Sequence, residues 1–108
     1  MSHEPESENL ADLVWRVMEQ HARSAVLRLL NAASCYTLNA IVLRDLLDAL
    51  GMHLSHDRLG GILTWLQDQQ LVRVARTDAT VVVTITARGA DVAEDRTRHD
   101  GISRPQPG

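Results

Sequence analysis

The chain of 108 residues has no lysine, no phenylalanine and a single cysteine, Cys35. One thiol cannot form a disulfide within the chain, so a disulfide framework is excluded and a reducing compartment is favoured. No apolar run reaches the roughly 18 residues that a membrane-spanning helix needs. The acidic N-terminal stretch is unlike a signal peptide. We therefore expect a cytoplasmic protein with no membrane association, in which residues 1–8 form a disordered leader.

Outside the N-terminus the sequence has no excess of positive over negative charge or of negative over positive. The net charge of −3 resides in Glu4, Glu6 and Glu8, because the 11 arginines balance the remaining 11 of the 14 acidic residues. This balance excludes the strongly basic surface expected of a protein that binds DNA without sequence preference. Arginine still suits sequence-specific contacts, because its planar guanidinium matches phosphate and guanine edges.

The most informative stretch predicts two capped helices joined by a short turn. The first helix, 39–50, begins at an Asn39 N-cap and ends before Gly51. The second helix, 55–70, begins at a Ser55 N-cap, and two helices joined in this way are typical of a helix-turn-helix. The buried stripe of the second helix is predicted from its spacing to be Leu59, Ile62, Leu63 and Leu66.

Two β-branched runs follow and predict a hairpin around Asp78 and Ala79. The fold class is therefore mainly α with a small β-hairpin (α+β): a winged helix-turn-helix domain over 9–95, with an extra N-terminal helix and a disordered C-terminal tail. Upstream, the apolar pattern changes phase near residues 21–23, which predicts a break between two helices. The remaining predicted elements are helices 9–20, 22–33 and 86–94, strands 71–77 and 80–86, and a flexible tail at 96–108. Thr86 is predicted to be the N-cap of helix 86–94.

The second helix of a helix-turn-helix enters the major groove of DNA. Arg58 on its outer face can pair with guanine through two hydrogen bonds, while His56 and Thr64 can contact base edges or phosphate. The outward positions are predicted to be His56, Asp57, Arg58, Gly61, Thr64, Trp65 and Asp68. The candidate DNA-binding residues are His56, Arg58, Gly61 and Thr64, with Arg44, Arg73 and Arg76 for phosphate. The predicted function is therefore that of a small transcriptional regulator that binds double-stranded DNA.

Helix 9–20 has an apolar stripe with two open interpretations: it packs on its own domain, or it pairs with a second copy in a homodimer. The candidate dimerisation residues are Leu10, Leu13, Val14, Val17 and Met18. The alternative function is a non-enzymatic module that binds another protein and no specific DNA. In that case Trp65 or the 101–108 tail, with Ile102 and Arg104-Pro105 as an anchor, contacts the partner.

Catalytic and metal chemistry have no support in the sequence. No serine or cysteine lies in a nucleophile motif, so we expect no enzyme and no cofactor. Cys35 is expected to be a small buried side chain. His53 and His56 are close in sequence, but two imidazoles without a third ligand do not make a structural zinc site.

The order of these elements, the stretch Trp65–Val72 and the exit Ile85–Gly89 resemble winged-helix regulators of the arsenical-repressor (ArsR) type. The tail Gly101-Ile102-Ser103-Arg104-Pro105-Gln106-Pro107 is similar to the ends of small winged-helix proteins of Mu-like prophages. The resemblance covers roughly 22–108 and implies a phage-related transcriptional regulator. The metal sensors of the ArsR type have a cysteine pair in the helix before the reading helix. Since 39–50 contains no cysteine, a thiolate sensor is excluded here.

Overall fold

The computed structural model describes residues 9–103, which form an α+β fold of four α-helices and one three-stranded antiparallel sheet. The predicted leader at 1–8 and the end of the predicted tail at 104–108 lie outside the described residues. None of the helices in the described part is long and apolar enough to cross a membrane. In chain order the elements are α1 (Leu10–Ala32), a 3₁₀ turn (Ser34–Tyr36), β1 (Thr37–Asn39), α2 (Ala40–Ala49), α3 (His56–Asp68), β2 (Val72–Arg76), β3 (Val81–Ile85) and α4 (Ala87–Ala93).

Helix α1 is continuous over its 23 residues, so the break predicted near residues 21–23 is wrong. The apolar pattern changes phase there because the helix changes partner while its backbone continues. In the first half the stripe faces away from the domain, and Leu10 is 76% exposed. In the second half Val26 and Leu30 face the domain and are fully buried. The helix contains no glycine or proline that would interrupt it.

The predicted N-caps of α2, α3 and α4 are confirmed. Side-chain oxygens of Asn39, Ser55 and Thr86 accept hydrogen bonds from the backbone N–H three residues later, at 2.8, 3.1 and 3.0 Å. Each bond satisfies an N–H group that the helix itself leaves unpaired. Gly51 has a left-handed φ of +84° just after α2, as predicted for a residue that ends a helix. These local interactions fix the short turn between α2 and α3.

The predicted hairpin is confirmed as β2 and β3, each slightly shorter than predicted. The strands are antiparallel, with Val74 opposite Val83 and Arg76 opposite Val81 at the turn. The short strand β1 pairs with the other edge of β3, which gives the order β1-β3-β2. The sheet therefore ties the hairpin to the chain between α1 and α2.

The core lies between the second half of α1, α2, α3 and the inner face of the sheet. Helix α4 packs beside it, and Gly89 is required there because a Cβ would overlap the carbonyl oxygen of Leu71. Thr86 Oγ1 also donates to the carbonyl of Gln70 at 2.8 Å. The largest fully buried side chains are Leu27, Leu30, Leu43, Leu47, Ile62, Leu66, Leu71, Val26, Val72 and Val83.

The first part of the predicted flexible tail packs on the body of the domain, which corrects its boundary at residue 96. The carbonyl of Gly101 accepts a hydrogen bond from Arg23 Nη1 at 3.1 Å, and Ser103 N donates to the carbonyl of Gln20 at 3.3 Å. Ile102 packs against the core. Gly101 permits this path because its left-handed φ of +88° lets the backbone lie against an indole ring.

Candidate nucleic-acid interface

Helix α3 turns its predicted stripe into the core and leaves its predicted outer residues at the surface. Leu59, Ile62, Leu63 and Leu66 are buried, as expected. Trp65 alone among the predicted outward residues is half-buried. The exposed ones are His56, Asp57, Arg58, Gly61, Thr64 and Asp68.

The first turns of α3 contain two glycines, so no side chain covers the helix backbone at these two positions. Apart from the adjacent backbone of α3 itself, no heavy atom lies within 4 Å of the position that a Cβ would occupy on Gly60 or Gly61. A ligand can therefore approach the helix backbone closely at this point. The capped N-terminus beside it also carries the positive end of the helix dipole, which favours an anionic ligand.

A groove of about 720 Å³ lies between α2, the start of α3 and the tip of the hairpin. Arg44, His56 and Arg76 come together along this groove from three different elements. Arg44 Nε donates to the carbonyl of Leu54 at 2.9 Å. This bond holds the side chain through one of the five N–H donors of a guanidinium.

Arg73, although exposed, is not brought to this groove. Side chains alternate between the two faces of a strand, so Arg73 and Arg76 lie on opposite faces of β2. Arg73 is in register with Thr84, whose hydroxyl is 2.9 Å from that of Thr37 on the outer face of the sheet. Of the two hairpin arginines predicted to contact phosphate, Arg76 therefore lines the groove and Arg73 lies on the other face of the sheet.

The groove also contains carboxylates, so its charge is mixed. Asp45, Asp48 and Asp78 lie along the same walls as the arginines. Asp48 contacts the imidazole Nδ1 of His53. The geometry thus provides individual basic contacts rather than a broad basic surface.

Arg58 is held against α1 by an aromatic side chain. Its guanidinium lies 3.9 Å from the ring centroid of Trp15, which is half-buried on α1. Such cation–π contacts occupy the face of a guanidinium and leave the N–H groups at its edge. Arg58 itself remains exposed.

Trp65 lies under a second contact of the same kind, at the other end of α3. The Arg23 guanidinium of α1 is 3.8 Å from its ring centroid, and His99 meets it edge-on at 5.6 Å between centroids. Burial lowers the pKa of Arg23 from its ordinary value, and the nearby Glu19 raises it in part. The protein-docking alternative uses Trp65 as a partner contact, whereas within the described residues Trp65 contacts Arg23 and His99 of its own chain. The contacts of Trp15 and Arg23 could not be predicted from the sequence, because pairing between helices distant in the chain leaves no local pattern.

The candidate dimerisation stripe lies at the N-terminal half of α1, on the side away from the core. Met18 is the exception, because it is half-buried and packs against the core. The exposed fractions of the other four are 76% for Leu10, 42% for Leu13, 62% for Val14 and 45% for Val17.

Within residues 9–103, no three His, Cys, Asp or Glu side chains lie close enough together to hold a metal ion. His53 is instead paired with Asp48. Cys35 is exposed, in a 3₁₀ turn where its φ is 57°, so the expectation of a buried side chain is wrong.

Comparison with known proteins places the chain beside a phage protein. It is 48% identical over 69 residues to the uncharacterized protein gp26 of Escherichia phage Mu. The match covers 64% of this chain and 72% of the phage protein. It confirms the expected link to Mu-like phages. No family model matches the chain, and no solved structure matches it.

Proposed function

We propose that this chain, which belongs to the family of the phage Mu protein gp26, is a small winged-helix DNA-binding protein that regulates transcription as a homodimer. In this interpretation α2 and α3 form the helix-turn-helix, and the β2–β3 hairpin forms the wing. Helix α3 enters the major groove with its first turns, while the wing and α2 contact the flanking backbone.

The observation that carries this proposal is the convergence of Arg44, His56 and Arg76 beside the capped start of α3. Arg44 belongs to α2, His56 to α3 and Arg76 to strand β2 of the proposed wing. Arginine contacts to phosphate fix the orientation of a protein on DNA. Arg58, exposed in the first turn of α3, is then the side chain best placed to pair with guanine.

The mixed charge of the groove determines what kind of DNA binding to expect. With Arg44 and Arg76 as the phosphate contacts, a dimer neutralises four phosphates, which gives a salt slope of about −3.6. Such a shallow slope means weak binding to arbitrary DNA. Base contacts by Arg58 must therefore supply much of the affinity for a specific site.

The homodimer is supported by the exposure of the apolar stripe on α1. Leu10, Leu13, Val14 and Val17 are spaced at i, i+3, i+4 and i+7, so they form one continuous face that a second copy of the helix can cover. The stripe faces away from the domain that it belongs to. A two-fold dimer also matches two half-sites in DNA, about one helical turn apart.

A second candidate is a module that docks on another protein and reads no DNA. Asp57, Gly61, Thr64 and Asp68 form an exposed part of α3 without a basic side chain, which favours a protein partner. Two anchors of that hypothesis, Trp65 and Ile102, contact their own chain instead. We therefore place it second.

Selection of the full chain against a library of randomised duplexes, at about 50 and 150 mM salt, tests the proposal. We expect an enriched palindromic sequence at both salt concentrations. The matched variants are Val14→Asp, which places a charge in the stripe, and Arg88→Ala, which removes an exposed arginine on α4. The first should lose the palindrome and sediment as a monomer, and the second should behave as the wild type.

The slope of log affinity against log salt gives an independent readout. Arg76→Ala should make it shallower by about one unit per protomer. Binding that is unenriched and disappears at the higher salt would overturn the proposal and favour the protein-docking module.

A further inference from the structure

Trp15 occupies the side of α1 opposite the dimerisation stripe, where it meets the start of α3. Its indole is half-buried, and the guanidinium of Arg58 lies 3.9 Å from its ring centroid. We infer that Trp15 is a positioning residue, which holds Arg58 in the orientation needed to read guanine. The inference rests on the proposed DNA-binding function and assigns a specificity role to a residue of α1.

The physical basis is the shape of the contact. An exposed arginine in the first turn of a helix samples many rotamers, and it loses that freedom when it binds a base. Stacking on an indole restricts the guanidinium before DNA arrives. The stack occupies the face of the cation and leaves the edge donors for the O6 and N7 atoms of guanine.

The surroundings of this stack set it apart from the other Arg–Trp pair between α1 and α3. Arg23 at the Trp65 ring has a side chain that is only 12% exposed and donates to Gly101. Arg58 is exposed and belongs to the helix whose first turns form the candidate interface. A ligand that lies on α3 can therefore reach the edge of Arg58 while Trp15 supports its face.

The experiment uses the duplex recovered by selection from a randomised library, and the same duplex with 7-deazaguanine, which lacks the N7 acceptor, at the enriched guanines. The measured quantity is the ratio of the two affinities. We expect a ratio of about 10 for the wild type and about 1 for Arg58→Ala. Trp15→Ala should lower the ratio to about 2–3, because the arginine keeps its donors but loses its support.

Three further variants separate positioning from folding. Trp15→Tyr keeps an aromatic face and should retain most of the wild-type ratio. Trp15→Leu keeps an apolar side chain without that face and should lower the ratio as alanine does, which makes it the test if Trp15→Ala unfolds. In the double variant Trp15→Leu, Arg58→Ala, the ratio should equal that of Arg58→Ala alone, because Trp15 acts through Arg58.

The outcomes distinguish this inference from the proposed function. If Arg58→Ala abolishes the ratio while Trp15→Leu keeps it at the wild-type value, the positioning role is overturned and DNA reading stands. If the wild-type chain enriches no duplex, both proposals fail together.

Discussion

Two Arg–Trp stacks join α1 to α3, one at each end of the contact between the helices, with the roles of the helices exchanged. At the start of α3, Arg58 of α3 lies 3.9 Å from the ring of Trp15 of α1. At the end of α3, Arg23 of α1 lies 3.8 Å from the ring of Trp65 of α3. The contact geometry is nearly the same, so any difference in role must come from the surroundings.

Those surroundings differ in exposure and in hydrogen bonding. The C-terminal segment covers the Trp65 stack, where Gly101 accepts a hydrogen bond from Arg23 and the Arg23 side chain is 12% exposed. Arg58 is exposed. The Arg23–Trp65 stack is enclosed by its own chain and serves stability, whereas the Arg58–Trp15 stack leaves its arginine exposed to solvent. The segment around a cation–π pair therefore decides whether the cation is structural or available to a ligand.

The largest expected effect is on stability at the enclosed end. Arg23→Ala removes a charged hydrogen bond and the stack, which should lower the free energy of unfolding by about 2 kcal/mol. Arg23 Nε is buried without a hydrogen-bond partner among the described residues. Its removal therefore breaks no further hydrogen bond and does not increase the loss of stability. The matched variant Arg58→Ala should change stability by less than about 0.5 kcal/mol. Urea denaturation of both variants measures the difference, and equal losses would contradict the comparison.

A methyl group added at Gly101 should displace the C-terminal segment from Trp65. In Gly101→Ala the new Cβ would lie 2.9 Å from Trp65 Cζ2, at a left-handed φ of +88°. We expect a loss of about 1–2 kcal/mol in stability and a more solvent-exposed Trp65. Thermal denaturation followed by tryptophan fluorescence measures both. The control, Gly61→Ala, has open space and should be neutral or stabilising by up to about 1 kcal/mol.

A conservative exchange should give the smallest effect. Arg23→Lys places a compact, strongly hydrated ammonium in the enclosed site and should cost about 1 kcal/mol. Arg58→Lys keeps an exposed charge and should leave stability within about 0.5 kcal/mol of the wild type. In a duplex-binding assay the same Arg58→Lys variant should lose guanine discrimination and retain its salt slope. Stability losses of the same size in both lysine variants would argue that the two ends are equivalent.

The elements that sequence reasoning predicted correctly depend on local interactions. Asn39, Ser55 and Thr86 cap helices through hydrogen bonds to residues three positions away. The stripe of α3 likewise follows from periodicity within one segment, and the hairpin follows from two β-branched runs on either side of Asp78 and Ala79. These features were sufficient for an α+β fold with α2, α3 and a hairpin at the predicted positions.

The features that were missed depend on contacts between distant segments. The phase change in α1 indicated a broken helix, because one-dimensional spacing does not distinguish a bend from a change of partner. Packing of Gly101 on Trp65 joins residues far apart in the chain, and so does the stack of Arg58 on Trp15. The candidate site was therefore only partly predictable: Arg58 was identified, and the side chain that supports it was not.

The most direct test of DNA binding by α3 is a map of backbone amide chemical shifts in the full chain. The added DNA is the duplex recovered by selection from a randomised library, in a length of about 20 base pairs, which holds two half-sites one helical turn apart. We predict that the largest shifts fall at Arg58, Gly61 and Thr64, with further shifts at Arg44 and Arg76, while Trp65 and Gly101 stay unchanged. Shifts concentrated at Trp65 and Gly101, or no shifts at all, would contradict the account.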